Sequence, residues 1–180
     1  MARLFIGIAL PPTLAESLAD VQPKPVAGMR LAAARQMHLT LHFIGEAEIA
    51  RIADILRLVE MQPQKLAVAG VGQFSQGAVL WAGVLRDKAL LKLHADIGRA
   101  LAKAGVATEA RPYKPHITLA RCKPQVSRNI IDDFLERNAA LQLAPVAVRQ
   151  FALYSSNASR EGPIYRVEKW FPVDNAKLSE

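Results

Sequence analysis

The chain of 180 residues is 51% apolar and 22% charged, with 23 basic against 16 acidic side chains and a formal net charge of +7. That is enough chain to bury one core and too apolar a chain to be disordered. Its single cysteine, Cys122, excludes a disulfide framework and every multi-cysteine zinc site. The basic balance points to an anionic partner, nucleic acid first, although charge alone leaves a merely basic protein equally open.

Arg3 precedes an apolar run, Leu4 to Leu10, that ends at Pro11-Pro12 without a small-x-small cleavage site, so it reads as a buried strand over 3–10 rather than a signal peptide. No apolar run is long enough to span a bilayer. With one cysteine and no export signal, the expected compartment is the cytoplasm. Pro12 and Thr13 open a helix over 13–21. Residues 37–44 alternate apolar and polar and predict a strand. Ile49, Ile52, Ala53, Leu56 and Val59 share one face of a helix over 46–60, and residues 65–74 form a further strand.

The second half repeats this order. Strand 79–85 leads to a helix over 88–104 that Gly105 stops, and strand 116–122 follows. Ser127 is a candidate N-cap for a helix to about 138, and strands at 145–154 and 164–172 complete the chain. His38 maps onto His116 at an offset of 78, and Gln73-Phe74 maps onto Gln150-Phe151 at 77. The expectation is a single α+β domain over 1–180, built from a duplicated β-α-β-α-β unit at roughly 3–76 and 79–154. Two mainly antiparallel sheets then face each other across a central groove, with helices outside and strand 164–172 completing the first lobe. Short connections at Gly45 and Ser75-Gln76-Gly77 permit antiparallel pairing.

The chemistry sits in a repeated tetrapeptide, His38-Leu39-Thr40-Leu41 and His116-Ile117-Thr118-Leu119, in a chain with only four histidines and four threonines. On a strand, His and Thr two apart share a face while the apolar pair is buried on the other. Two imidazoles facing across a groove suit in-line phosphoryl chemistry: one takes a proton from the attacking oxygen and the other gives one to the leaving oxygen. Thr40 and Thr118 can donate to the non-bridging oxygens, or be ordinary β-branched strand residues.

With these motifs stand Arg3 through Pro12, His38 through Glu46, Pro115 through Arg121, Leu153-Tyr154-Ser155-Ser156 and Gly162-Pro163-Ile164-Tyr165. Together they resemble the two-histidine phosphoesterase superfamily, and within it the bacterial and archaeal RNA 2′,3′-cyclic phosphodiesterases, historically called 2′-5′ RNA ligases. The resemblance runs from residue 3 to about 173. It implies hydrolysis of a 2′,3′-cyclic phosphate at an RNA 3′ end, or on a nucleotide, to a 2′-phosphomonoester, with reversible 2′-5′ ligation as the back reaction. It also implies that no metal or other cofactor is needed, that His38 is the proton donor and that His116 is the proton acceptor. His42 is a departure at a position where related proteins vary.

The other candidates are less specific. Arg111, Lys114, Arg121, Lys123 and Arg128 bracket the second motif with no carboxylate between residues 110 and 131. Lys114, Arg121 and Arg35 are candidate substrate-binding cations. Arg121 lies five residues from His116 and nominally faces away, which leaves a solvated rim charge equally open. Tyr154, Tyr165 and Phe5 are candidate base-stacking or core aromatics, with core favoured for Phe5. His42 shares the motif face and reads as a groove-rim residue; His94 and Cys122 read as structural. Two other functions fit the pattern: a phosphodiesterase for a small nucleotide such as a 2′-5′ oligoadenylate or an ADP-ribose cyclic phosphate, and a non-catalytic RNA-binding module. Nothing in the sequence demands more than a monomer.

Overall fold

A computed structural model describes residues 1–75, 78–160 and 162–172. The Gln76-Gly77 connection lies outside the described residues. In chain order the first repeat supplies β1 (Ala2–Ala9), α1 (Pro12–Val21), β2 (Met29–Leu31), a 3₁₀ turn (Ala34–Gln36), β3 (His38–Ala47), α2 (Ile49–Leu56), β4 (Gln64–Leu66) and β5 (Val68–Phe74). The second supplies β6 (Val79–Val84), α3 (Lys88–Lys103), β7 (His116–Cys122), α4 (Arg128–Arg137), β8 (Val146–Val148), β9 (Gln150–Asn157) and β10 (Ile164–Pro172).

Local chemistry explains most of the boundaries. Pro12 opens α1 at the position where a missing N–H costs nothing. Asp87 caps α3 by accepting from the Leu90 amide at 2.7 Å, and Gly105 ends the helix at φ +70°. Ser127 does precede α4 but makes no side-chain cap bond. β3 runs on to Ala47, so α2 starts later than its apolar periodicity alone suggested. The strands read at 65–74 and 145–154 are each broken, at Ala67 and Arg149, and the pieces join different sheets.

The principal sheet has the order β10-β9-β1-β3-β7-β6-β5, with β2 on the edge of β7, and all its pairings are antiparallel. Its two halves meet through one residue pair, Leu39 opposite Ile117, so the expected two sheets are hydrogen-bonded into a single order at the pseudo-two-fold axis. β4 and β8 pair with each other in a separate ladder. The repeats also exchange their last strands. β5 of the first repeat pairs with β6, and β9 of the second pairs with β1. Neither repeat therefore completes its own half of the sheet.

The pairing also corrects the repeat offset at this strand. Phe5 faces Tyr154 on β9 and Phe43 on β3, as Val79 faces Phe74 on β5 and Arg121 on β7. Phe74 is thus the counterpart of Tyr154, at an offset of 80, and not of Phe151.

The core lies beneath the sheet, against the four helices. Leu39 and Ile117, the apolar residues inside the two motifs, are both fully buried there with Leu4, Ile6, Leu18, Ile52 and Ile97. Each such side chain contributes about 1.5–3 kcal/mol by leaving water, which fixes the face on which the intervening histidines and threonines must emerge. On that opposite face lies a smaller cluster of Phe5, Ala152 and Tyr154, with Tyr165 and Val167 against it.

Candidate active site

With Leu39 opposite Ile117 in an antiparallel pair, one step along each strand brings His38 opposite Thr118 and Thr40 opposite His116. All four emerge on one face and line a cavity of about 1290 Å³. Each histidine thus stands across from the other motif's threonine, and the two histidines occupy a lattice diagonal of about 7–8 Å.

The rings are held alike. The Nδ1–H of His38 donates to the Gln36 carbonyl at 2.8 Å, and that of His116 donates to the Lys114 carbonyl at 2.7 Å. A carbonyl only accepts, so Nδ1 carries the proton in the neutral ring and Nε2 keeps a free lone pair. His38 packs against Phe5 (4.8 Å between ring centroids), Tyr165 (4.9 Å) and Tyr154 (5.7 Å). His116 packs edge-on to Phe74 (4.8 Å), with Trp81 at 6.2 Å.

Burial holds the His38 imidazole below its usual value, opposed by the Gln36 hydrogen bond and reinforced by the charges of Arg121 and His116. Burial likewise lowers His116, opposed by the Lys114 carbonyl and reinforced by the charges of Lys114, Arg121 and Arg111. Both rings are neutral at pH 7 in the free protein. An anion between them favours their charged forms.

Arg121 faces this site, and a β-bulge is the reason. Ala120 pairs with Leu80 but Thr118 pairs with Trp81, so Leu119 is an extra residue in β7. Leu119 and Ala120 are both buried in succession. The alternation changes phase, and the odd offset from His116 to Arg121 leads to the same face. Arg121 lines the cavity, as do Arg35 and Tyr165.

The same bulge occurs in β3, where Ile6 pairs with His42 and Gly7 with Thr40, leaving Leu41 extra. There it turns His42 inward, so the rim position read for His42 is corrected. His42 is buried, its Nε2–H donates to the His94 carbonyl at 2.8 Å, and its ring stacks on His94 at 4.1 Å. Tyr113 stacks on the other face of His94 at 3.9 Å and donates its hydroxyl to the Thr40 carbonyl at 3.2 Å. This stack ties α3 and the segment before His116 to the strand that carries His38.

Two further readings change. Tyr154 is buried and stacks on Phe5 at 4.8 Å, 2° from parallel, so it forms part of the bed beneath His38 instead of a base-stacking surface. Burial pushes its hydroxyl up to about 12. Lys114 does not line the cavity. Its ammonium lies over the Trp81 ring at 4.5 Å and the Phe74 ring at 5.5 Å, so it braces the bed of His116 and contributes charge. Phe5 is buried as expected and also forms part of the cavity wall. Burial pushes the Cys122 thiol up, away from nucleophilic thiolate.

Sequence reasoning missed Arg3, Arg30 and Phe43, all of which line the cavity. Phe43 is 47% exposed and occupies the position in β3 that Arg121 occupies in β7. The signal for it was the matching spacing, five residues after each motif histidine. Among the described residues, no group of three or more His, Cys, Asp or Glu side chains is arranged to hold a metal ion, and no helix is long and apolar enough to cross a membrane.

This arrangement offers two proton-transfer groups, two hydroxyl donors and a guanidinium around one point. Similar chains are known. An RNA 2′,3′-cyclic phosphodiesterase of Thermotoga maritima is 31% identical over 180 residues, covering 92% of each chain. One from Methanocaldococcus jannaschii is 28% identical over 172 residues, covering 93% of this chain and 98% of that one. The crystal structure of Escherichia coli LigT complexed with 3′-AMP matches with a TM-score of 0.77 at 25% identity, covering 96% of this chain and 98% of that one. The model of the 2′-5′ RNA ligase superfamily matches residues 10–160. With the repeated motif set on facing strands, this chain belongs to the 2′-5′ RNA ligase superfamily.

Proposed function

We propose that this chain hydrolyses 2′,3′-cyclic phosphates at RNA ends to 2′-phosphomonoesters, without a metal, acting as a cytoplasmic monomer. The observation that carries the reading is that His38, Thr40, His116 and Thr118 line one cavity on either side of the Leu39–Ile117 pair, with both Nδ1 atoms bound to backbone carbonyls so that Nε2 is left for proton transfer. Water attacks phosphorus on one side and the ribose 3′ oxygen leaves on the other. Nε2 of His116 takes the proton of the attacking water, and Nε2–H of His38 supplies the proton to the departing oxygen. Thr40, Thr118 and Arg121 donate to the non-bridging oxygens as their charge grows. Arg35 and Tyr165 contact the nucleotide from the rim.

The charges around each ring support this direction of proton flow. Lys114, Arg121 and Arg111 all disfavour an imidazolium at His116, which suits a base. Around His38 the opposing charges are those of Arg121 and His116. Once His116 has taken its proton and the 3′ oxygen has taken that of His38, the two rings have exchanged protonation states. The same sequence with a 5′-hydroxyl in place of water forms a 2′-5′ phosphodiester as the 3′ oxygen leaves, and its reverse returns the cyclic phosphate and the 5′-hydroxyl.

The test is hydrolysis of a defined oligonucleotide ending in a 2′,3′-cyclic phosphate, with and without a chelator. The expected result is a 2′-phosphate product at the same rate in both. A 3′-phosphate product, or loss of turnover on chelation that one divalent ion restores, contradicts the scheme.

A further inference from the structure

The bulge at Leu119 decides whether Arg121 reaches the groove. Regular alternation from His116 would send Arg121 to the core face, and the extra residue sends it to the cavity instead. A bulge disrupts the ladder locally, so its backbone groups must be satisfied elsewhere. Leu119 is fully buried, so its carbonyl needs a donor from the protein.

On one edge of β7, β2 pairs from Cys122 to Ala120 and β3 pairs at Ile117. Between them, beside Thr118 and Leu119, that edge has no strand next to it. The end of α1 closes the gap. Gln22 follows the last residue of the helix with φ −54° and ψ 149°, the extended geometry that the next residue, Pro23, favours. Its Nε2 donates to the Leu119 carbonyl and to the Ala32 carbonyl, both at 2.8 Å. The Ala32 amide donates to the same Leu119 carbonyl at 2.9 Å. Both amide hydrogens of Gln22 and both lone pairs of the Leu119 oxygen are thus engaged. Ala32 opens the segment that carries Arg35 into the cavity and supplies the Gln36 carbonyl to His38. One carboxamide therefore ties the approach to the first motif to the bulge of the second. The bulge of β3 is braced by a different group, the Tyr113 hydroxyl on the Thr40 carbonyl.

We infer that Gln22 is a positioning residue of this site: its carboxamide holds the Leu119 bulge that aims Arg121 at the phosphate. The task given to Arg121 rests on the cyclic-phosphate reading above. Gln22 itself is not among the described residues that line the cavity, so it acts through the backbone of β7. Leucine at this position withdraws one donor from each carbonyl. The strand then relaxes toward regular alternation, and Arg121 leaves the reacting phosphate.

The experiment compares wild type, Gln22→Leu, Arg121→Gln and the double variant. NMR follows the titrations of His38 and His116 in the free protein. Binding of inorganic phosphate and kcat/KM on a cyclic-phosphate oligonucleotide are measured beside them. Arg121 disfavours the charged form of both rings, so Arg121→Gln should move both titrations to higher pH. Gln22→Leu should move both the same way, weaken phosphate binding and lower kcat/KM about tenfold. The double variant should be no worse than Arg121→Gln alone, because the two residues act through one contact. Leu18→Val, on the buried face of α1 and away from the cavity, should leave the titrations and kcat/KM in place even where it lowers Tm. If Gln22→Leu does not fold, Gln22→Asn, which keeps the amide and shortens its reach, carries the same expectations. Titrations that stay in place in a folded Gln22 variant, or losses that add in the double variant, overturn the inference. Failure of wild type to open the cyclic ester overturns the phosphodiesterase reading, while the titrations and phosphate binding still decide the role of Gln22.

Discussion

The half of the site around His38 and the half around His116 share one backbone frame and differ in what it carries. Each has a histidine whose Nδ1 is bound two residues back, a threonine two residues on, and a bulge that re-aims the fifth residue. At that fifth position one half has Phe43 and the other Arg121. Below the ring, Phe5 and Tyr154 in one half stand where Val79 and Phe74 stand in the other. At the residue that accepts the Nδ1 proton, one half has neutral Gln36 and the other cationic Lys114. The frame sets two imidazoles alike; in the proposed mechanism the decoration gives them different work. Duplication alone would yield two equivalent imidazoles, and in-line displacement needs unlike ones.

The largest expected effect removes either ring. His38→Ala and His116→Ala should each cost about 10²–10⁴ in turnover with little loss of stability. An activated leaving group separates the halves, because it needs no acid. With such an ester His38→Ala should recover much of its rate and His116→Ala should not. Rescue of the His116 variant instead would exchange the two roles.

Next in size is the fifth position. Arg121→Phe makes the second half resemble the first and should lower kcat/KM about 10- to 100-fold, the worth of a hydrogen bond to a charged group. Phe43→Arg, on an exposed ring, makes the reverse change and should leave the fold intact. A new cation beside His38 disfavours its protonated form, so the alkaline limb of the rate profile should move to lower pH. An unmoved limb would mean that residue 43 has no electrical access to His38.

How much of this was legible follows from where strand alternation holds. His38, Thr40, His116 and Thr118 lie before the bulges, so counting by twos found their common face. Arg121 and His42 lie beyond them, so the same counting reversed both. In β7 the apolar pair Leu119-Ala120 marked the change of phase. In β3 the equivalent pair is Leu41-His42, where a polar residue hid it. The order of elements was legible, since each has its own periodicity. The exchange of β5 and β9 between the halves was not, because an apolar strand fits the edge of either half equally well. Arg30 sits in a three-residue strand too short to show a period, and only its pairing with β7 brings it to the groove.

A milder change tests the charge difference without replacing a histidine. Both imidazoles are lowered by burial, so the optimum of kcat/KM, which reports the free enzyme, should lie on the acid side of pH 6.5. Lys114→Gln removes a cation that disfavours protonated His116. That histidine then gains its proton at higher pH, and as a base it fails earlier on acidification. Turnover at pH 5 should fall about threefold relative to wild type, with less change at pH 7. An acid limb that stays in place would locate the base elsewhere.

The smallest expected effect lies behind the His38 half, in the stack of His42, His94 and Tyr113. The second half has no equivalent, because Ala120 stands where His42 does. Burial, with the neighbouring His42 charge, lowers the His94 imidazole to about 4, and burial lowers His42 as well. A histidine lowered in the folded state is neutral there while the unfolded chain takes up a proton below about 6.5. Protons therefore favour unfolding through the window from 6.5 down to about 4, and stability should fall as pH falls across it. His94→Phe keeps a flat ring between His42 and Tyr113 and removes the titration. With the shift discounted for the partial exposure of the ring, the variant should lose about 2–4 °C less in Tm than wild type between pH 6.5 and 4, the equivalent of roughly 1 kcal/mol in a chain of this size. Calorimetry at several pH values reads the difference. Parallel Tm curves for the two proteins would show that proton uptake by this stack is not what destabilises the strand beneath His38.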